Sequence, residues 1–362
     1  MIRTKTMTAG KGLIAAAVTA ALLGTAGLGV STAYAEDTLN ALIWCDHNDP
    51  NLLKPFEDAN KVKVNVKEFE GTGAGLAIVD QSKPGDWDVM VIDTVDVHRG
   101  VEKNLFDPLP EAELPFADMF PEVKMDDTTI IGGKRYGITE KFGYNAFSYN
   151  AAKVDPKDMT KMSALWDPKY KGRIAVYDYY LPVIGMAAMG IGKKTAELTE
   201  ADLPAIKEKL VLMKANAKLV GEVTASQTAL ATGEVDMLVG GGEWVTATLH
   251  KDNPALDFMI PDEGGVLWSQ SLAMFAGSKN KPLALKFIQY VMSPEGQARL
   301  ATSSCYWGMP SNQKAALNDD QKKLLRFADQ GAFLKRAQRY PAPNADLDKK
   351  MQDMWTSVLQ AK

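Results

Sequence analysis

The sequence predicts an α/β fold in two units, each a mixed, mainly parallel sheet flanked by helices. Residues 39–104 alternate short apolar runs, typical of strands, with segments that carry one apolar face, typical of helices. The same alternation returns along residues 173–239. Because alternating strands and helices build parallel sheets covered by helices, each stretch predicts one unit. A chain of 362 residues is long enough for both units to bury a core.

The elements of both units follow from apolar runs, alternating patterns and turn residues. A bridge between the units is expected over 142–150. In the first unit, strands are predicted at 39–44, 61–69 and 88–92, with helices at about 50–58, after the glycine-rich turn 71–75, and at 94–104. In the second unit, strands are predicted at 173–178, 218–221 and 235–239, with helices at 182–189, 201–217 and 224–232.

The first 35 residues have the pattern of a secretory signal peptide. Basic residues at Arg3, Lys5 and Lys11 precede a small-residue apolar run at 13–30, which ends in Ala33-Tyr34-Ala35. The competing interpretation is a transmembrane anchor. It is disfavoured because the apolar run ends in a cleavage pattern and is not followed by the basic residues of a stop-transfer segment. We therefore expect export and cleavage after Ala35.

The charge and cysteine content of the chain restrict the ligands and bonds that can be expected. The formal net charge is −4, and loss of the basic leader would make the chain more acidic. An acidic exported protein is a poor match for nucleic acid or an anionic membrane, and it suits a cationic ligand. The two cysteines, Cys45 and Cys305, could form a disulfide in an oxidising compartment or remain buried thiols, and the residues leave both open.

Aromatic and acidic side chains follow several predicted strands. Ligands in open α/β sheets bind at the carboxyl ends of strands, so these residues are candidates for a site. The set contains no lysine or arginine, and rings with carboxylates suit a small organic cation. Each residue has a plainer interpretation: an aspartate can cap a helix, and a tryptophan can pack in a core. The set after the strands comprises Trp44, Cys45, Asp46, His47, Asp93, Thr94, Asp178, Tyr179, Tyr180, Glu222, Glu243, Trp244, Trp268 and Gln270.

Four segments carry a resemblance to a known family. They are 163–172 (SALWDPKYKG), 233–237 (GEVDM), 263–273 (EGGVLWSQSLA) and 293–297 (SPEGQ). The sequence resembles bacterial periplasmic solute-binding proteins of ABC transporters, of the spermidine/putrescine-binding type. The resemblance implies a type II periplasmic-binding-protein fold whose two lobes close on a ligand. It implies lobes at 36–146 plus 270–314 and at 147–269 plus 315–362.

The same resemblance implies a function and a site. The expected function is capture of a polyamine or related small amine in the interlobe cleft, with delivery to ABC permease subunits and no cofactor, metal site or nucleic acid. A monomer is expected. Because Cys45 and Cys305 fall in one lobe, the resemblance also makes their disulfide plausible. The ligand-binding residues it indicates, together with the strand-end set, are Trp44, Asp46, His47, Asp93, Thr94, Tyr179, Glu222, Trp268, Gln270 and Trp307.

The ligand class stays open at this point. Gln270 stands where polyamine binders of the family carry an aspartate, and Tyr179 stands where they carry another acid. An ω-amino acid such as γ-aminobutyrate, or a quaternary amine, would need fewer acids. Ferric iron, bound by Asp46, His47 and tyrosines, is a weaker alternative. An exported enzyme is not expected, because no nucleophile elbow, His-Glu-x-x-His or phosphate loop is present in the sequence.

Overall fold

Two sets of parallel strands meet at a central antiparallel pair in the computed structural model, which describes residues 37–341 and 343–361. The strands are β1 Asp37–Ile43, β2 Val62–Glu68, β3 Val89–Asp93, β4 Phe106–Asp107, β5 Ile130–Ile131, β6 Lys134–Arg135, β7 Ile138–Asn150, β8 Ile174–Tyr177, β9 Ala217–Gly221, β10 Met237–Gly241, β11 Leu256–Met259, β12 Val266–Phe275, β13 Met309–Pro310 and β14 Gln338–Arg339.

The helices fill the intervals between these strands. They are α1 Pro50–Asn60, α2 Thr72–Asp80, α3 Val97–Glu102, α4 Asp126–Thr129, α5 Tyr180–Gly190, α6 Leu203–Asn216, α7 Val223–Ala231, α8 Glu243–Leu249, α9 Lys281–Met292, α10 Pro294–Ala301, α11 Asp319–Leu324, α12 Gln330–Arg336 and α13 Ala345–Gln360. None of these described helices is long and apolar enough to cross a membrane.

The sheet order is β2-β1-β3-β12-β7-β10-β8-β9. On one side β2, β1 and β3 are parallel, and on the other β10, β8 and β9 are parallel. The long strands β12 and β7 pair with each other antiparallel, and each also pairs antiparallel with the neighbouring set. β7 and β12 therefore connect the two parallel sets.

The register at this centre positions the site. Gln270 of β12 lies opposite Asp93 of β3 and, on its other side, opposite Lys141 of β7. The pairing of β12 with β7 shifts between Gln270 and Ser271, as at a β-bulge. Directly opposite residues share one face of a sheet, so these three side chains start on the same face.

Separate apolar cores flank the sheet. One includes Leu39 of β1 and Phe287 of α9, and another includes Ile184 of α5, Leu238 of β10 and residues of α13. A third cluster joins Tyr144 of β7 to residues of α12 and of segment 301–325. The distribution is compatible with two lobes, while the lobe boundaries stay predictions.

Most predicted elements appear in the structure. The expected bridge over 142–150 is the second part of β7. The helix predicted over 94–104 is shorter: a 3-10 turn at Thr94–Asp96 precedes α3, and Asn104 adopts a left-handed φ of 57° that ends the segment. The predicted leader, residues 1–35, lies outside the described residues.

Candidate functional site

A cavity of about 620 Å³ lies at the carboxyl ends of β1, β2, β3 and β8, beside the middle of β12. This is where open α/β sheets place ligands. Aromatic rings and carboxylates dominate its walls. The lining residues are Trp44, Cys45, Glu68, Phe69, Glu70, Gly71, Asp93, Asn145, Tyr177, Asp178, Tyr179, Val223, Thr224, Trp244, Trp268, Gln270, Cys305, Tyr306 and Tyr340.

The rings form a continuous edge-to-face series. Trp268 lies opposite Gly143 of β7, and a side chain at Gly143 would collide with the indole. The positive edge of one ring contacts the negative face of the next, which is a favourable arrangement for aromatic pairs. Ring faces that are not covered in this way are available to a cation. The centroid distances are 6.2 Å for Trp268–Tyr306, 6.3 Å for Tyr306–Trp244, 6.1 Å for Trp244–Tyr177, 6.0 Å for Tyr177–Tyr179 and 5.6 Å for Tyr179–Tyr340.

Asp93 is the carboxylate held at the end of β3. Thr72 Oγ1 donates to Asp93 Oδ2 at 2.9 Å and accepts from the Asp93 amide at 3.1 Å. Burial, and then the neighbouring charge of Asp96, raise the pKa of Asp93 to about 7. Among the described residues no cation forms an ion pair with it, so its charge is available to a ligand.

The other wall carboxylates are more solvated. Asp178 follows β8 and accepts from Trp355 Nε1 at 2.8 Å. Glu68 accepts from the Asn48 amide, and Glu70 follows it at the exposed rim. No lysine, arginine or histidine occurs among the lining residues in the described part of the chain.

Several polar atoms of the wall are buried without a partner inside the described chain. These are Nε1 of Trp44, Nε1 of Trp244 and Oε1 of Gln270. Leaving such atoms unpaired costs about 1–3 kcal/mol each, and a bound ligand or water would remove that cost. The residues of the wall therefore hold two buried donors and one buried acceptor that have no partner among the described residues.

A fully buried network of charges lies behind this wall. His47 is 2.9 Å from Asp46 through Nδ1 and 2.7 Å from Glu140 through Nε2. Lys141 Nζ donates to Asp46 Oδ2 at 2.9 Å and to the Tyr306 carbonyl at 3.0 Å, and it lies 4.1 Å from the centre of the Tyr306 ring.

Mutual pairing sets the charges of this network. Burial opposes ionisation of Asp46, yet His47 and Lys141 hold its pKa well below the usual range. Burial likewise opposes the charged form of His47, but Asp46 and Glu140 raise its pKa to about 10. With this raised pKa, His47 is an imidazolium that donates from both nitrogens. Burial outweighs pairing for the other two groups, raising the pKa of Glu140 and lowering the pKa of Lys141.

A disulfide closes the same region. Cys45 and Cys305 are bonded, with their Cα atoms 6.0 Å apart. Next to it, Asp49 caps α1 and accepts from the Ser304 amide at 2.7 Å. The turn after β1 and the loop that carries Tyr306 are therefore held together twice.

The structure places half of the predicted ligand residues in the cavity wall, namely Trp44, Asp93, Tyr179, Trp268 and Gln270. The remaining five lie elsewhere. Asp46 and His47 are fully buried in the ion network and do not line the cavity.

Thr94, Glu222 and Trp307 also lie outside the cavity lining. Thr94 is buried and its hydroxyl is bonded to Ser271 Oγ at 2.9 Å. Glu222 is exposed at the start of α7, while Val223 and Thr224 line the cavity instead. Trp307 packs in the third core cluster, so its neighbour Tyr306 provides the ring.

Other wall residues were missed. Three of them, Glu68, Phe69 and Glu70, end or follow β2. Ligands in open α/β sheets bind at the carboxyl ends of strands, and applying this strand-end rule to β2 would have found these residues. Asn145 lies within β7, and Tyr340 comes from the chain's last segment, where no sequence signal points to a site.

Comparison with known proteins decides the family. A family model described as bacterial extracellular solute-binding protein matches residues 51–328. The chain belongs to this family. The solute-binding protein is 27% identical over 288 residues to the spermidine/putrescine-binding periplasmic protein of Escherichia coli, covering 78% of this chain and 81% of that protein. It is 25% identical over 310 residues to the putrescine/cadaverine-binding protein of Pseudomonas aeruginosa, covering 80% and 84%.

A solved structure gives the fold. The spermidine/putrescine ABC transporter substrate-binding protein of Streptococcus pneumoniae superposes with a TM-score of 0.77 at 20% identity, covering 90% of this chain and 99% of that one. The predicted type II periplasmic-binding-protein fold is confirmed, as is the resemblance to the spermidine/putrescine-binding type. Within the described residues, no group of three or more His, Cys, Asp and Glu side chains is arranged to hold a metal ion.

Proposed function

We propose that this solute-binding protein captures a small organic cation, a polyamine or related amine, in the cavity at the centre of the sheet. The protein would deliver it to the permease subunits of an ABC importer. Binding involves no covalent chemistry, which agrees with the transport role of the family.

The lining of the cavity carries this proposal. Asp93, Asp178 and Glu70 supply negative charge, and the ring series from Trp268 to Tyr340 supplies cation–π faces. With no basic side chain among the described lining residues, an anionic solute would find no compensating positive charge there. The two relatives, which bind spermidine and putrescine or putrescine and cadaverine, support the same ligand class.

Closure about the central strands is the mechanism we propose. β7 and β12 pass through the centre and pair with both parallel sets, so bending them would move the sets against each other. Contacts from both sets would then favour the closed form, by the differential affinity of the ligand for it. The lobes are proposed at 36–146 plus 270–314 and at 147–269 plus 315–362.

The protein is proposed to work outside the cytoplasm, as a monomer in the periplasm after cleavage behind Ala35. The spermidine/putrescine-binding periplasmic protein of Escherichia coli, a relative of this chain, supports this location.

A second candidate ligand is an ω-amino acid such as γ-aminobutyrate. The observation that favours it is the pair of buried indole N–H groups of Trp44 and Trp244, which have no partner in the described chain. They could donate to a ligand carboxylate while Asp93 binds its ammonium group.

A thermal-shift screen tests the proposal. Putrescine, spermidine and γ-aminobutyrate are compared with succinate and glucose as anionic and neutral controls. A ligand present at a hundred times its dissociation constant should stabilise the protein by about 2.7 kcal/mol. We expect a shift with one or more amines and none with the controls. A shift with succinate or glucose alone would overturn the proposal.

A further inference from the structure

Asn145, in the middle of β7, is bonded at both ends of its side-chain amide. The residue is buried, and it belongs to the cavity lining. Asn145 Nδ2 donates to the Gly240 carbonyl oxygen at 2.8 Å, and the Tyr340 hydroxyl donates to Asn145 Oδ1 at 3.0 Å. A backbone carbonyl oxygen can only accept, so the amide must turn its NH₂ group toward Gly240. Asn145 therefore links the end of β10 to the last segment of the chain, which carries Tyr340.

Gly240 makes this link possible at the end of β10. Its φ of 88° lies in the left-handed region, which glycine adopts without steric cost. The pairing of β10 with β7 shifts between Val239 and Gly241, so Gly240 is the extra residue of a bulge and has no partner residue in β7. A Cβ at Gly240 would lie 2.9 Å from Tyr177 Cβ, so the Tyr177 side chain packs directly against this bulge.

Three cavity rings close the series of contacts that begins at Asn145. We call Tyr177, Tyr179 and Tyr340 the tyrosine cluster. The ring centroids are 6.0 Å apart for Tyr177–Tyr179 and 5.6 Å apart for Tyr179–Tyr340, with interplanar angles of 72° and 85°. Contacts thus run from Asn145 to Gly240, through the three rings, and back to Asn145. Because the series is closed, turning one ring disturbs its neighbours as well.

The tyrosine cluster is neutral and lies close to the charge of Asp93. Burial raises the pKa of all three phenols, and the negative charge of Asp93 adds to the rise in each. A cation attracted by Asp93 would therefore meet uncharged rings. The attraction between a ring and a cation depends on how the ring face is turned, so the orientation of these rings affects binding.

We propose that Asn145 is the positioning residue of the tyrosine cluster, which it holds in the orientation that meets a bound organic cation. This inference rests on the proposed function. An amide suits the role because it donates to the bulge at one end and accepts from a ring hydroxyl at the other. Rings that are fixed before binding lose little freedom when the ligand arrives, and this favours affinity.

A double-mutant cycle measured by calorimetry tests this role. The variants are Asn145→Leu, Tyr340→Phe and the double variant, and the probes are putrescine and spermidine. Asn216→Leu and Tyr290→Phe are matched controls: each removes a side-chain donor to a backbone carbonyl, at 2.9 and 2.7 Å, outside the cavity lining. Thermal unfolding without ligand checks that each variant folds, and near-ultraviolet circular dichroism of the free proteins reports how well the aromatic rings are fixed.

The expected losses are not additive. Asn145→Leu should weaken amine binding roughly ten- to thirtyfold, and Tyr340→Phe roughly three- to tenfold. The double variant should bind no more weakly than Asn145→Leu, because the Tyr340 hydroxyl has already lost its partner there. Asn145→Leu should also reduce the near-ultraviolet signal. Both controls should bind within about twofold of wild type, even where their stability falls, because they lie away from the cavity.

Other results would overturn the inference. Additive losses would show that Asn145 and Tyr340 act independently. Equal loss of affinity in the controls would show a general effect of destabilisation. Wild-type affinity or an unchanged near-ultraviolet spectrum in Asn145→Leu would reject the positioning role and leave the amine-binding function intact. Failure of the wild-type protein to bind either amine would reject the proposed function, and this role with it.

Discussion

Carboxylates occur in two contrasting settings on either side of the cavity wall. In the ion network, Asp46 and Glu140 each face a cation, His47 or Lys141, and all four side chains are fully buried. In the wall, Asp93 is bonded to Thr72 and has no ion-pair partner among the described residues. Each charged group of the first setting faces an opposite group within the protein, whereas Asp93 faces none among the described residues.

The pKa values express this difference. Burial alone raises the pKa of a carboxyl group. For Asp46 the charges of His47 and Lys141 overcome burial and lower the pKa, whereas for Asp93 burial dominates and raises it to about 7. The comparison teaches that carboxylate content does not identify a cation site. What distinguishes Asp93 is that it lines the cavity and has no ion-pair partner among the described residues.

The largest effect should come from breaking the ion network. Lys141→Met leaves Asp46 Oδ2 and the Tyr306 carbonyl without their buried donor, while His47 still pairs with Asp46 Oδ1. Removing one partner of a buried pair costs about 3–5 kcal/mol, so the free energy of unfolding should fall by that amount in chemical denaturation. The control is Lys194→Met, which breaks an exposed pair with Glu197 and should cost less than about 0.5 kcal/mol. Equal effects would refute the contrast.

Opening the disulfide should have the next largest effect. It joins residues 260 positions apart, so replacing Cys45 and Cys305 by alanine should reduce the free energy of unfolding by about 2–5 kcal/mol. Amine affinity should fall too, because the bond holds the loop of Tyr306 against the turn of Trp44. Unchanged stability in urea denaturation would argue against a structural role for the bond.

Neutralising the wall carboxylate should affect binding rather than folding. Asp93→Asn removes the uncompensated charge, so amine affinity should fall by about 2–4 kcal/mol in calorimetric titration. Stability of the free protein should hold or rise, because ionising the buried group is unfavourable there. Asp96→Asn, one turn away at a partly exposed site, is the control. A variant that loses stability but not affinity would contradict the assignment.

Changes in pH should separate binding from stability. The pKa of Asp93 rises from 3.8 to about 7 on folding, so its contribution to the stability of the free protein is complete below about pH 4 and is lost as pH rises through 7. Amine affinity should run the opposite way, increasing up to about tenfold per pH unit between pH 5 and 7, because the cation binds the ionised form.

Titrations across this range in buffers of different ionisation enthalpy should also detect proton release on binding below pH 7. In Asp93→Asn the pH dependence should flatten. A wild-type affinity that does not change between pH 5 and 7 would show that Asp93 does not contact the cation.

The sequence predicted the fold more completely than the site. Strand and helix periodicities repeat over many residues, so β1, β2, β3, β8 and β10 could be located from pattern alone. The strand-end rule also located the segments of the cavity. It could not determine which side chain in a segment faces inward: Trp44 faces the cavity, while Asp46 and His47 turn to the interior.

The cause lies in contacts distant along the chain. Asp46 and His47 turn inward because Glu140 and Lys141, about 95 residues later, supply their partners in the middle of β7. Tyr306 rather than Trp307 reaches the wall because the disulfide and Lys141 fix that loop. One sequence contains no signal for such pairings.

The most direct measurement compares putrescine with 1,4-butanediol by titration calorimetry. The two ligands have the same carbon chain and differ in their ends, which are charged ammonium groups in one and neutral hydroxyls in the other. If the carboxylates of the cavity wall bind a cationic ligand, putrescine binds and the diol gives no heat. Equal binding of both, or binding of the diol alone, would contradict the account.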